Sequence, residues 1–424
     1  MTDHDALVRA VCDYPDDDTP RLVFADYLDE AGEADRAAFV RAQVEVARLP
    51  AWEPFAAECR HRKAGWAAGD PFRAALPAFP PGWAVGWHDR PFRRGFGWAA
   101  VVGSLHAWDE VAPWLFAHAP VGELHLRAPA TLDDWRRFAA ADRVGRLRAV
   151  HFEAGSPVEP LRALCASPHA TGITDLNFHI ATSPGLPTLV DDLLTTPLGR
   201  GLRRLSFRLG EWAWLNELLA ILANGAGAFT ELRLEAMGLT PDLVRDWCGR
   251  GGPARLESLD LKGNYALGND GARALADGLR DADPRLHTLG LSGLRMTHAG
   301  AKAVAGCRGL AGVRVLDLSN NSILAPAARA LAASDPLAGV RVLRLVGCQI
   351  GDRAVRHLTR ARFWPTIVEL DLSDNPISDP GAGHLLAADL PPDLTAILLN
   401  GRRLGGDTRT KLRKRFGERV ILAT

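Results

Sequence analysis

Three histidines recur at nearly the same place in successive segments of the chain and could together bind a metal ion. His125, His151 and His179 are separated by 26 and 28 residues. Each has an acidic residue close to it in sequence or in the neighbouring segment, namely Glu123, Glu153 and Asp175. Imidazole nitrogens and carboxylate oxygens are ligands that Zn²⁺ accepts. Polar groups on adjacent strands are more often only hydrogen-bonded, so we favour a hydrogen-bonded ladder over a metal site here.

No motif of an established catalytic site accompanies these histidines. The sequence contains no G-x-S-x-G, no phosphate-binding loop, no H-E-x-x-H and no recognisable Cys-His nucleophile pair. We therefore predict no catalytic residue, no cofactor and no enzymatic activity.

The histidines lie within a periodic pattern of apolar residues that must position them. Each unit has apolar residues at its first position and at offsets three and five, a spacing typical of a strand with one buried face. Eight regular units follow one another at intervals of 27 residues, with one interval of 30. They begin at Leu202, Phe229, Leu256, Leu286, Val313, Val340, Ile367 and Leu394. Weaker units begin at Val121, Leu147 and Ile173, and a first degenerate unit is expected near Phe96.

The repeated unit indicates the class of fold. Val313 to Leu331 reads V-R-V-L-D-L-S-N-N-S-I-L-A-P-A-A-R-A-L, which is the pattern of a leucine-rich repeat followed by a helix. The unit length and small pairs such as Gly271-Ala272 resemble the ribonuclease-inhibitor-like class. The resemblance implies an α/β solenoid shaped as a horseshoe, with a parallel sheet on the concave face and helices on the convex face. Asn321 and its equivalents should turn inward and bond backbone groups.

The first fifty residues predict a small helical domain. The run D-D-D-T-P-R-L-V-F-A-D-Y-L-D-E-A-G, followed by R-A-A-F-V-R-A-Q, resembles a repeat-companion domain that precedes leucine-rich repeats in certain bacterial proteins. Pro20 suits the first position of a helix, and Asp18 or Thr19 can cap it. We expect the acidic turn Asp16-Asp17-Asp18 to be a solvated helix cap rather than a cation site, because it lacks the Gly and the distal Glu of a calcium loop.

These patterns divide the chain into four parts. Residues 1–50 form the helical domain, and residues 51–95, rich in tryptophan and proline, form an N-terminal cap or linker. An aromatic platform for bases or sugars is the alternative for this segment. Residues 96–404 hold about a dozen repeats, regular from residue 202, and residues 405–424 form a C-terminal cap. The basic helix in that cap leaves nucleic-acid contact as a minor alternative.

Composition limits the class of partner. Lys and Arg total 50, as do Asp and Glu, so bulk charge draws the chain neither to nucleic acid nor to an anionic membrane. The six cysteines are scattered without C-x-x-C pairs, which indicates reduced thiols. The sequence shows no apolar run of membrane-spanning length and no signal sequence at its start. We expect a cytoplasmic protein without a membrane partner.

The polar positions of the strands provide the candidate binding surface. Offsets two, four and six point away from the core because side chains alternate along a strand. Offset four is expected to line the concave face and to bind the partner. Its candidate residues are His125, His151, Asn177, Ser206, Arg233, Asp260, Asp317, Arg344 and Asp371.

We therefore hypothesise a non-enzymatic scaffold or adaptor that recognises a macromolecular partner, most simply a protein, on the concave face. One alternative is a regulator of a nucleotide-hydrolysing enzyme, because ribonuclease-inhibitor-like repeats resemble those of the Ran GTPase-activating protein. Another is an inhibitor of an enzyme partner. The sequence identifies no individual partner and no oligomeric state.

Overall fold

A computed structural model describes residues 2–49, 72–106, 108–127, 130–153, 158–179, 185–208, 215–224, 229–283 and 285–423. The chain forms two compact units. Unit 1 comprises Met1–Arg208 with Ala226–Phe229, and unit 2 comprises Leu209–Gly225 with Thr230–Thr424. Within the described ranges, no helix is both long and apolar enough to cross a bilayer.

Unit 1 begins with three helices and continues as alternating strands and helices. The helices are α1 Asp3–Asp13, α2 Thr19–Glu30, α3 Ala34–Arg48, α4 Trp108–His118, α5 Leu132–Ala140, α6 Val158–Cys165, α7 Leu186–Thr195 and α8 Pro197–Gly201. The strands are β1 Val85–Trp87, β2 Phe92–Arg93, β3 Phe96–Gly97, β4 Ala99–Val102, β5 Glu123–Leu126, β6 Ala149–Phe152, β7 Asp175–Phe178 and β8 Arg204–Arg208. Strands β4 to β8 are parallel neighbours, and β1 pairs antiparallel with β4.

Unit 2 repeats the same alternation with a parallel sheet ordered β9 to β16. Its strands are β9 Glu231–Glu235, β10 Ser258–Asp260, β11 Thr288–Gly290, β12 Val315–Asp317, β13 Val342–Arg344, β14 Glu369–Asp371, β15 Ala396–Asn400 and β16 Val420–Ala423. Its helices are α9 Leu215–Asn224, α10 Pro241–Gly249, α11 Gly268–Leu279, α12 His298–Ala305, α13 Leu324–Ala332, α14 Asp352–Leu358, α15 Asp379–Ala387 and α16 Gly406–Phe416. The predicted α/β solenoid of leucine-rich repeats is confirmed.

The apolar positions of the repeat form the core. Leu316 and Leu318 of one unit 2 repeat are 1% and 0% exposed, and their partners in the next repeat, Leu343 and Leu345, are equally buried. Residues in register on adjacent strands lie about 4.8 Å apart. Each repeat therefore covers the apolar side chains of its neighbours, and stacking supplies the core that a single repeat could not form.

Buried asparagines bond the backbone of the turn after the strand in three repeats of unit 2, at Asn264, Asn321 and Asn375. The Asn321 side chain accepts hydrogen bonds from the backbone N–H groups of Leu294 and Met296 at 3.1 and 2.9 Å. Its Nδ2 donates to the carbonyl oxygens of Leu291 and Leu318 at 2.8 and 2.9 Å. The predicted inward orientation is thus confirmed, and one amide satisfies backbone groups of two successive repeats.

Cys348 occupies the asparagine position in the following repeat. Its thiol donates to the carbonyl oxygen of Leu318 at 3.1 Å. The nearby N–H groups of Cys348 and Ile350 are bonded by Asn375 of the next repeat. A cysteine is tolerated because neighbouring asparagines serve part of the same backbone.

The N-terminal helices pack on the β2–β3 hairpin of unit 1. Val11, Phe24, Leu28 and Val40 share one buried cluster with Phe96 of β3. The hairpin has a two-residue turn, since Arg93 pairs with Phe96 and both Arg94 and Gly95 have positive φ. Such turns join strands tightly and favour glycine. A side chain at Gly95 would place its Cβ 2.7 Å from Cα of Val40.

The acidic turn is a solvated cap only in part: Asp16 and Asp17 are exposed, and Asp17 accepts a hydrogen bond from the backbone N–H of Thr19 at 2.8 Å, but the turn also contacts arginines. Asp16 contacts Arg148 of the repeat region at 2.8 Å, and Asp18 lies 3.0 Å from Arg48 and 3.5 Å from Arg94. Asp18 is the N-cap of α2, yet its side chain makes no capping hydrogen bond. Arginines from distant sequence positions therefore pair with Asp16 and Asp18, while Asp17 bonds the start of the helix.

Replacing the buried asparagine should destabilise unit 2. Asn321→Ala leaves several buried backbone groups without partners, so we expect the free energy of unfolding to fall by at least about 2 kcal/mol in urea titrations. The free energy of unfolding should fall less for Asn321→Cys, because cysteine already occupies this position in the next repeat. Equal stability of the alanine variant and the unchanged protein would contradict the assigned role.

Gly95→Ala should destabilise unit 1 more than Gly32→Ala does. Gly32 also has positive φ, at +83°, but has no atom within 4 Å of an added Cβ. In the control, Gly32→Ala, the free energy of unfolding should therefore fall only by the backbone strain of about 1 kcal/mol. Overlap with Val40 should add about 2 kcal/mol at Gly95. Chemical denaturation of the full chain measures the free energy of unfolding of both variants. An equal decrease in the two would show that the close approach to Val40 does not destabilise Gly95→Ala.

Candidate functional site

We use the name polar strand face for the side chains at offsets two, four and six of the repeats. In unit 1 the register aligns four candidates at offset four in one row, namely His125, His151, Asn177 and Ser206. In unit 2 it aligns Arg233, Asp260, Gly290, Asp317, Arg344 and Asp371. Within each unit, the structure places the predicted residues side by side.

The row in unit 1 contains stacked histidines. The rings of His125 and His151 lie 4.0 Å apart between centroids with an interplanar angle of 14°. The ring of His88 stacks on the other side of His125, at 4.0 Å and 11°. His125 is only 5% exposed, since a ring covers each of its faces.

Two glutamates contact the ring nitrogens of these histidines. Glu123 Oε1 lies 2.8 Å from Nε2 of His125 and 3.1 Å from Nε2 of His151. Glu153 Oε1 lies 2.6 Å from Nδ1 of His125, and its second oxygen accepts from Nε of Arg127 at 2.7 Å. Both nitrogens of His125 are therefore in contact with a carboxylate, so its ring is fixed in orientation.

These contacts change the proton affinities of the cluster. Burial of His125 disfavours its charged form, but hydrogen bonds to Glu123 and Glu153 outweigh burial and raise its pKa. Burial likewise opposes the charge of Glu123, yet its bonds to His125 and His151 hold its pKa below the usual range. Burial and the neighbouring charge of His125 lower the pKa of His88. The cluster concentrates opposite charges in a partly buried place.

His179 does not join this cluster. Two groups of described residues bring potential ligand atoms within 4.8 Å of one another, and neither includes His179. They are Glu123, His125 and His151, and His88, His125 and Glu153. Asp175, expected beside His179, instead contacts Nη1 of Arg204 at 2.8 Å and the hydroxyl of Thr174.

Sequence reasoning missed His88. This residue follows the antiparallel strand β1, which precedes the first repeat and carries none of the repeat spacing. Its neighbours Trp87 and Asp89 belong to the tryptophan-rich segment for which the sequence predicts a cap or linker. The imidazole itself was the only signal, and nothing in the sequence placed it beside His125.

Ion pairs between neighbouring strands of unit 2 lie in its row at offset four and beside that row at offset six. Arg233 contacts Asp260 at 3.1 Å, and Lys262 contacts Glu235 at 3.5 Å. The side chains of Arg233 and Lys262 remain 52% and 54% exposed. These cations are therefore held in position while much of their surface stays open to solvent.

The aspartates of this row also have a local structural role. Asp260, Asp317 and Asp371 each accept a hydrogen bond from the backbone N–H two residues further on, at 3.0, 2.9 and 3.0 Å. Such local bonds are typical of aspartate at the end of a strand. Burial raises the pKa of Asp260, with further contributions from Glu235 and Asp317, against the opposing charge of Arg233.

Arg344 differs from Arg233 because its partner is buried. Glu369 is 1% exposed, and Nε of Arg344 lies 3.4 Å from its Oε1. Removing the arginine would leave a carboxylate without this countercharge in a buried place, which is costly. Arg344 therefore serves stability whether or not it contacts a partner.

The described cysteines are poor candidates for nucleophiles. Cys12, Cys165, Cys248, Cys307 and Cys348 are free thiols, and Cys59 lies outside the described residues. Burial raises the pKa of Cys12, Cys248 and Cys348 to about 12 and that of Cys165 to about 11. Burial also raises the pKa of Cys307. A thiol reacts as its thiolate, so these five are unreactive near neutral pH.

A cavity of about 530 Å³ lies in unit 1, apart from the polar strand face. Phe39, Phe72, Phe92 and Phe96 contribute to its wall, together with polar groups such as His118. None of the predicted binding residues lines it. Its aromatic wall could accept an apolar group. The cavity is not evident from the sequence because its aromatics come from three segments, namely α3, the residues before β1 and the β2–β3 hairpin.

We compared the chain with protein families, curated sequences and solved structures. The family described as Leucine Rich repeat matches residues 255–276 and 365–385. No curated protein sequence matches the chain. The crystal structure of a Rad7 and Elc1 complex in yeast is similar at 15% identity and a TM-score of 0.49, covering 75% of this chain and 82% of that chain. An internalin from Listeria monocytogenes is similar at 14% identity and a TM-score of 0.36, covering 65% and 67%.

Thiol labelling tests the assignment of the cysteines. At pH 8 in the folded protein, Cys12, Cys248, Cys307 and Cys348 should resist alkylation, because a raised pKa keeps each thiol protonated and burial blocks access. Unfolding in urea should expose all four. Mass spectrometry of peptides from the two samples locates the label, and rapid labelling of Cys248 in the folded protein would contradict this assignment.

Proposed function

We propose that this chain, a leucine-rich repeat protein, is a non-enzymatic scaffold that binds a macromolecular partner, most simply another protein, through its polar strand face. The observation that carries the proposal is the fixed and partly exposed charge on that face. Arg233 and Lys262 are each held by a carboxylate of the adjacent strand while about half of each side chain stays exposed.

Such an arrangement suits recognition of a charged surface. A cation that is already ordered loses less conformational freedom on binding than a free one. Charges of both signs at fixed spacing favour a partner with the complementary pattern and disfavour others. The candidate residues of unit 1 are proposed to belong to the same surface: His151 and Asn177 are partly exposed and can contact a partner, whereas His125 and Ser206 are each only 5% exposed.

The absence of a reactive nucleophile among the described cysteines supports the non-enzymatic part of the proposal. So does the local role of the aspartates in unit 2, since Asp260, Asp317 and Asp371 are occupied with the turn after their strand. A helix accompanies the strand in successive repeats, which supports the ribonuclease-inhibitor-like subtype.

The N-terminal helices are proposed to be a companion domain that caps the first repeats. Its support is the contact set of the acidic turn with Arg94 and Arg148, together with the cluster that buries Phe96 among α1, α2 and α3. These contacts cover the apolar edge that an end repeat would otherwise expose.

Removing the exposed cations of the polar strand face should abolish partner capture. We propose a double variant, Arg233→Ala with Lys262→Ala, in the full chain. The matched control is Arg245→Ala with Arg273→Ala, which removes two exposed arginines from helices α10 and α11. Arg344 is left unchanged because its loss would confound binding with stability.

The experiment is affinity capture from cells of the source organism, with bound proteins quantified by mass spectrometry. A partner should be retained by the unchanged protein and by the helix control, and should be reduced at least tenfold on the polar-face variant. Matching circular dichroism and unfolding midpoints establish that both variants are folded. If every captured protein binds the polar-face variant as well as the control, the proposed surface is wrong.

A further inference from the structure

We propose that Glu123, His125 and His151 bind a zinc ion on the polar strand face of unit 1. Oε1 of Glu123 lies 2.8 and 3.1 Å from the Nε2 atoms of the two histidines. The three ligand atoms all lie within 4.8 Å of one another. Two imidazoles and one carboxylate form a common set of protein ligands for zinc.

The two distances from Glu123 are close to those of a tetrahedral ion. Bonds of about 2.0–2.1 Å to zinc separate neighbouring ligand atoms by about 3.3 Å in a tetrahedron. The Glu123 carboxylate must therefore withdraw by only a few tenths of an ångström from each imidazole. Its side chain is 27% exposed, which leaves room for that movement.

The backbone fixes both histidines at the required spacing. His125 and His151 are in register on β5 and β6, which are parallel neighbours. Their Nε2 atoms both lie near Oε1 of Glu123, while their rings stack within 14° of parallel. An imidazole binds zinc in its own plane, so one ring must turn out of the stack when the ion binds. Ligands on adjacent strands are more precisely placed than ligands on loops.

A second layer of contacts prepares His125 as a ligand. Its Nδ1 lies 2.6 Å from Glu153, and Arg127 holds the other oxygen of that glutamate at 2.7 Å. With Nδ1–H donated to Glu153, zinc would replace the proton on Nε2 that faces Glu123 and bind the lone pair of that nitrogen. Metal-binding histidines commonly donate their second nitrogen to a carboxylate in this way, which fixes the tautomer and strengthens the ligand.

A competing set uses His88, Nδ1 of His125 and Glu153. It is less suited to the ion, because Arg127 already compensates the charge of Glu153, and Nδ1 of His88 accepts a hydrogen bond from the backbone N–H of Arg90 at 3.2 Å. The two sets share His125 but differ in every other residue. Substitutions can therefore distinguish them.

The site has three protein ligands and a fourth position for water or another oxygen ligand. Sites of this kind leave one coordination position open, whereas purely structural zinc sites are closed by four protein ligands. Zinc binding here requires no partner and no enzymatic activity, so it can be tested apart from the proposed function.

The test is calorimetric titration of untagged, chelator-treated full-length protein with zinc chloride. We expect one equivalent of zinc to bind. We also expect Co²⁺ to occupy the same place with the visible absorption of a tetrahedral complex. His151→Asn and Glu123→Gln should each abolish the signal, and Glu153→Gln should weaken binding about 10- to 100-fold through the second layer.

The matched control is His88→Asn, which removes a stacked histidine of the competing set. This variant should still bind one equivalent of zinc. Glu123→Gln keeps the shape of the side chain, so it remains informative if His151→Asn fails to fold. No zinc binding by the unchanged protein, or binding that survives both His151→Asn and Glu123→Gln, would overturn the site. Loss of zinc binding in His88→Asn, but not in His151→Asn or Glu123→Gln, would assign the ion to the competing set.

Discussion

The fold depends on mutual burial between neighbouring repeats. A strand with leucine at offsets three and five has an apolar side that water would otherwise contact, and only the next strand and helix cover it. Leu316, Leu318, Leu343 and Leu345 are almost fully buried for this reason. The same stacking buries backbone groups at the end of each strand, which is why an asparagine such as Asn321 must turn inward.

This core leaves the other side of each strand free to vary. Offsets four and six carry mainly polar side chains, which interact largely with equivalents on adjacent strands, whereas offset two is apolar and buried at Val315, Val342 and Ala396. In unit 1 these interactions form a histidine stack between two glutamates. In unit 2 they form pairs of arginine or lysine with carboxylates. One scaffold thus presents two different chemistries, each fixed by strand register.

The polar contacts also explain which residues are suited to binding and which to stability. Arg233 is about half exposed beside Asp260, whereas Arg344 balances a carboxylate that is 1% exposed. The two arginines occupy equivalent positions of the repeat but differ in the burial of their partners. Position in the repeat alone therefore does not assign a role to a side chain.

The sequence by itself determined the repeat, its strands and the row in which the candidate residues lie, because a strand that alternates apolar and polar residues has only one way to bury its apolar side. It also determined the inward asparagine, since buried backbone groups require a partner.

The contacts of His88 and the arginine partners of Asp16 and Asp18 were decided only by the tertiary structure. Those residues are distant in sequence and outside the repeat spacing, and contacts between them arise only when separate segments pack together. For the same reason, His179 shares the spacing of His125 and His151 yet lies outside their cluster: spacing places a residue on a strand, and the packing of its side chain decides what it contacts.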